Sequence, residues 1–86
     1  MAKLYSVVLT KAAQKQLDKL SDTVAAPIIK AISSLSSNPR PHGYIKLKGR
    51  NGYRIRVGDY RIIYEVFDKI LSIEVINLGN RKDVFE

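Results

Sequence analysis

Between residues 44 and 78 the chain can reverse direction in three places, and each is too short to make anything but a hairpin. Gly49-Arg50-Asn51-Gly52, Gly58-Asp59 and Asp68-Lys69 are built from the residues that tight turns select. The stretches they separate, 44–48, 53–57, 60–67 and 70–78, have the length and the β-branched and aromatic content of strands. Reversals this short join antiparallel neighbours, because a parallel return needs a crossover of a dozen residues or more. The second half of the chain is therefore expected to be a four-strand antiparallel meander.

The first half reads differently. Residues 3–9, KLYSVVL, predict a strand, and Thr10 stands where a helix N-cap belongs. Residues 11–20 carry Ala13, Leu17 and Leu20 on one helical stripe, with Lys11, Lys15, Gln16 and Lys19 toward water. Ser21 and Asp22 are cap-type residues that start a second helix, running to about residue 36, with Val24, Ile28, Ile32 and Leu35 at helical spacing. Pro27 removes a backbone donor inside that segment and predicts a kink or a late start. Asn38-Pro39-Arg40-Pro41-His42-Gly43 then ends the helical half. The expected fold is α+β: strand, antiparallel two-helix hairpin, then meander, with the helices on one sheet face. With 86 residues and no repeat, one domain over 1–86 is expected.

Charge is concentrated in the meander. Lys46, Lys48, Arg50, Arg54, Arg56 and Arg61 fall within residues 44–64, where Asp59 is the one acid. The cations alternate with Ile45, Leu47, Tyr53, Ile55 and Val57, so period two is expected to gather them on one sheet face. Like charges brought together repel and add nothing to the fold. With a net charge of +7, the pattern points to a polyanion, an anionic membrane surface or an acidic partner. No apolar run approaches the roughly 18 residues of a membrane span. With no cysteine and one histidine, a zinc site is excluded, and the lack of thiols suits a reducing compartment.

Most enzyme signatures are missing as well. His42 reads as a surface loop residue, Asp18 and Asp22 as solvated helix charges, and the serines at 33, 34, 36 and 37 as a polar helix end. Tyr44, Tyr53, Tyr60 and Tyr64 read as sheet packing. In the tail, Arg81 and Lys82 precede Phe85, which suits either a clamp on a nucleotide or a core plug. A cluster of arginines with aromatics can still support one reaction. RNA brings its own nucleophile in the 2′-hydroxyl, so a protein that aligns the chain and neutralises the phosphorane can cleave it without metal or histidine. Arginine suits the charge-stabilising part and not the base. A lysine can act as base when neighbouring cations depress its pKa.

The order of elements, with KLKG, YRIRVGDYRIIYEV and INLGNRKDVFE, resembles the RelE toxins of the RelE/ParE toxin–antitoxin superfamily over nearly the whole chain. That resemblance implies a cytoplasmic type II toxin: a ribosome-dependent endoribonuclease that cuts messenger in the decoding site without a cofactor. Its implied partners are the ribosome, the messenger and a RelB-like antitoxin, held with the toxin in a hetero-oligomer. It also implies roles. Arg61 stabilises the scissile phosphate, Arg81 acts on the leaving group, and Phe85 stacks on a base where many members have tyrosine. Arg54 and Arg56 occupy positions where well-studied members carry lysines, and Lys46, Lys48, Arg50 and Lys82 grip RNA. Two alternatives stay open. ParE proteins share the fold and poison DNA gyrase, and a weakened homologue would retain antitoxin or nucleic-acid binding.

Overall fold

Both helices begin where a hydroxyl can cap them. In the computed structural model, which describes residues 4–80, Thr10 Oγ1 accepts from the Ala13 N–H at 3.1 Å and starts α1 (Lys11–Asp18). Ser21 accepts from the Val24 N–H at 3.4 Å and starts α2 (Asp22–Ser34). Each bond satisfies one of the amide donors a helix start leaves free. Helix α2 runs through Pro27 as one element, so the late start expected there does not occur.

Among the described residues, five strands follow the expected order: β1 (Ser6–Leu9), then β2 (Ile45–Lys46), β3 (Gly52–Val57), β4 (Tyr60–Phe67) and β5 (Ser72–Asn80). They form one sheet in the order β1-β5-β4-β3-β2, antiparallel except that β1 lies parallel to β5. Strand β2 is two residues long rather than five. Residues 41–44 close a turn in which the Tyr44 N–H donates to the Pro41 carbonyl at 3.0 Å, and that turn carries the chain off the ladder. The Gly58-Asp59 reversal has φ +59° at Gly58, the first-position positive φ of a two-residue hairpin that glycine adopts without penalty. The last reversal is a 3₁₀ turn over Asp68–Ile70 ended by Leu71 at φ 50°, so β5 begins two residues later than its pattern suggests.

The core lies between the helices and one sheet face. Ala13, Ile28, Ile32 and Leu35 meet Ile55, Ile62, Tyr64, Val66, Ile73, Val75 and Leu78, all buried. Helix α1 also closes the end of β5. Beyond Leu9 there is no β1 partner for that edge, so Thr10 Oγ1 donates to the Ile76 carbonyl at 2.8 Å and Gln16 Oε1 accepts from the Leu78 N–H at 2.8 Å. Side chains thereby complete a hydrogen-bond ladder that the backbone leaves open. Among the described residues, no helix is long and apolar enough to cross a membrane.

Candidate functional site

Strand register decides which cations meet. In the β3–β4 hairpin Arg56 faces Arg61 directly, while Arg54 faces Ile63. Side chains two apart on a strand share a face, so Arg54, Arg56 and Arg61 all project from the side opposite the helices, where Ile63 and Leu47 form a smaller buried cluster. Arg50 joins them from the preceding turn. Its side chain folds over Gly52, and a Cβ there would come within 3.2 Å of Arg50 Nε and 3.1 Å of Leu47 Cδ1. Gly52 therefore makes room for a fourth guanidinium on this face.

These arginines are not equivalent. Arg56 is exposed, Arg61 is half-buried and Arg54 is buried at 8% exposure. Arg54 thus contributes charge from beneath the surface, while Arg56 can offer its fork to a ligand. The partner of Arg61 on β5 is Gly79, which brings no side chain to the face. Farther along the same face Glu65 lies opposite Glu74 and beside Gly52, over which Arg50 folds, so the surface is cationic at the β3–β4 turn end and mixed in charge at the other. An anion would be drawn most strongly to the turn end.

The lysines expected on this face are elsewhere. Lys46 is the register partner of Tyr53 and lies on the helix side of the sheet. Its Nζ donates to the Arg50 carbonyl at 3.2 Å and sits 5.6 Å from the Tyr53 ring centroid. Apolar Ile45 and Leu47 take the arginine side instead, so the alternation of β2 has the phase opposite to that of β3. Lys48 is exposed in the turn that follows. Arg81, Lys82 and Phe85 lie outside the described residues.

A second polar group occupies the helix side. Tyr53 stacks on Tyr64 at 5.7 Å and meets Tyr44 edge-on at 5.8 Å. Arg40 lies over the Tyr53 ring, donates to its hydroxyl from Nε at 3.2 Å and reaches Asp68 Oδ2 at 2.9 Å. Tyr5 also donates to Asp68, at 2.7 Å, and Tyr64 donates to the Pro39 carbonyl at 2.7 Å. The network ties the 39–44 segment to Tyr5 just before β1, to β3 and β4, and to the β4–β5 reversal. Arg40 and then Tyr5 hold the Asp68 carboxyl below its usual pKa, and burial pushes the Tyr64 hydroxyl up to about 12. The sequence marks Arg40 as nothing more than part of a Pro-rich breaker, so this function of the residue is legible only in three dimensions.

A cavity of about 580 Å³ opens where the 41–43 segment leaves the ladder. Pro41, His42 and Ile45 form one wall, Ala31 and Ser34 of α2 another, and Arg54, Ile55 and Arg56 of β3 the third. Sequence reasoning missed it, since nothing in a breaker motif says how far the chain swings out.

Comparison with known proteins agrees with the fold. Residues 7–85 match the family described as the ParE toxin of the type II toxin–antitoxin system parDE. The toxin RelE of Mycobacterium tuberculosis is 29% identical over 79 residues, covering 90% of this chain and 81% of that protein. The archaeal RelE–RelB complex from Pyrococcus horikoshii superposes with a TM-score of 0.82 at 31% identity, covering 98% of this chain and all of the matched one. In the intact Escherichia coli RelBE toxin–antitoxin complex the matched chain gives 0.77 at 29% identity, covering 88% of this chain and 95% of that one.

Proposed function

The chain belongs to the ParE toxin family of type II toxin–antitoxin systems, within the RelE/ParE superfamily, and we propose that it acts in the cytoplasm by cutting messenger RNA on the ribosome. What supports this reading most is the grouping of Arg54, Arg56 and Arg61 on one sheet face. In the proposed step the 2′-oxygen attacks the adjacent phosphorus and the P–O5′ bond breaks. A 2′,3′-cyclic phosphate forms, water taking the proton of the 2′-hydroxyl and returning one to the leaving 5′-oxygen. Arg61 and Arg56 neutralise the phosphorane, Arg54 adds buried positive charge, and Arg81 acts at the leaving oxygen. Arginine holds its proton at any ordinary pH, so none of these residues is the base. Phe85 stacks on a base, while Lys48, Arg50 and Lys82 hold flanking RNA. Relatives are solved with RelB antitoxins, which supports an antitoxin of that type here, bound as a hetero-oligomer.

The test is cleavage of messenger in a programmed ribosome by the purified protein, with a chelator present. Arg61→Ala and Arg81→Ala should each lower the rate about 10²–10³-fold, as the loss of one charge-stabilising donor does. Wild-type rates in both would overturn the assignment. The ParE name of the matching family supports a second reading, inhibition of DNA gyrase. A supercoiling assay separates the two: inhibited gyrase with uncut messenger would favour the second.

A further inference from the structure

The gap beside β3 has a property that its size alone does not convey. Leu47 donates to the Gly52 carbonyl at 2.9 Å, which marks 47 and 52 as a hydrogen-bonded pair. Hydrogen-bonded pairs alternate along an antiparallel ladder, so Ile45 and Arg54 form the next such pair and Gly43 and Arg56 would form the one after. That last pair is never made. Pro41 and the turn to Tyr44 take Gly43, at φ +90°, away from the sheet. The N–H and C=O of Arg56 therefore point outward into the cavity, side by side.

We propose that this cavity holds a nucleobase of the bound RNA, with its edge on the main-chain N–H and C=O of Arg56 and its phosphate on the Arg56 side chain. The inference rests on the RNA-cleaving reading and adds a base-binding subsite to it. A volume near 580 Å³ is within the range of small-ligand pockets. Its walls at Ala31, Pro41, Ile45 and Ile55 suit the flat faces of a heterocycle. Every base presents a donor and an acceptor next to each other on its Watson–Crick edge, the complement of one outward-facing residue. An exposed guanidinium at the mouth suits the phosphate. An extended peptide fits less well, because strand addition draws its affinity from a row of main-chain bonds and this edge offers one residue.

The full-length protein, labelled at isoleucine methyls, would be titrated with 5′-AMP and separately with ribose 5-phosphate, which has the phosphate without the base. The expected result is saturable shifts at Ile45 and Ile55 with 5′-AMP, none with ribose 5-phosphate, and unchanged Ile73. Ala31→Phe should fill the cavity and weaken 5′-AMP binding at least tenfold; Ser34→Phe, at an exposed site, does the same if the first variant does not fold. Equal shifts with both ligands, no shifts, or unaltered binding in the filled variant would overturn the subsite, as would a strand-forming peptide moving these methyls where 5′-AMP does not. Messenger cleavage is read in parallel. A protein that cuts but lacks the base-specific shift loses the subsite and retains its activity, and one that shows the shift but never cuts loses the activity.

Discussion

Arg56 and Arg61 are direct cross-strand partners of the same charge, which makes the proposed site a cost to the fold that can be measured. Val57 and Tyr60 close the two-residue hairpin, so the Arg56–Arg61 pair is of the non-hydrogen-bonded kind, in which side chains approach more closely. For charge centres roughly 6 Å apart the repulsion is about 0.7 kcal/mol in bulk water and about 2.8 kcal/mol at an effective dielectric of 20. Arg56 is exposed, which puts the value near the lower figure, in line with the ~0.2–1 kcal/mol of cross-strand pairs. Arg56→Gln removes the repulsion, and Arg56→Glu replaces it with attraction. Stability should rise in the order Arg, Gln, Glu, by about 0.5 kcal/mol for the first step, a gain of roughly 2–4 °C in Tm for a domain of this size. The gain should shrink as salt is raised, because exposed charges are screened. Messenger cleavage should fall along the same series by about 10²-fold or more. The assay is thermal unfolding at low and high ionic strength beside cleavage on programmed ribosomes. A flat series, or a gain indifferent to salt, would refute the argument that these charges are massed against the interest of the fold.

Other outcomes follow from contacts already described. Gln16→Leu leaves the Leu78 N–H without its acceptor and should cost about 1–3 kcal/mol in denaturant unfolding. Arg40 and Tyr5 depress the Asp68 pKa, so the stability this carboxylate confers is complete above its unfolded value near pH 4 and is lost as pH falls through the lower folded value. Asp68→Asn should therefore flatten the acid limb of the stability profile. Tyr64 is raised to about 12, so its contribution is present below the unfolded pKa near 10 and is lost between pH 10 and 12. Tyr64→Phe should remove that alkaline loss while leaving the Pro39 carbonyl without its donor. Gly58→Ala forces a side chain into φ +59° and should destabilise by about 1 kcal/mol, read as a lower denaturation midpoint.

Much of this molecule is decided by local chemistry, and that part is written in the chain. Short glycine- and aspartate-bearing reversals dictate an antiparallel meander, and Thr10 and Ser21 start helices because a hydroxyl satisfies amides three residues on. Period two places Arg54 and Arg56 on a common face. Period two does not say which residue of a neighbouring strand lies opposite, and there the sequence falls silent. Register brings Arg61 to Arg56, turns Lys46 toward Tyr53 and puts β1 beside β5 rather than at the far edge. The burial of Arg54, the swing of residues 41–43 and the cavity it leaves depend on how distant segments pack. Turns and caps are settled by a few adjacent residues, whereas faces, partners and gaps are settled by contacts whose members the chain keeps far apart.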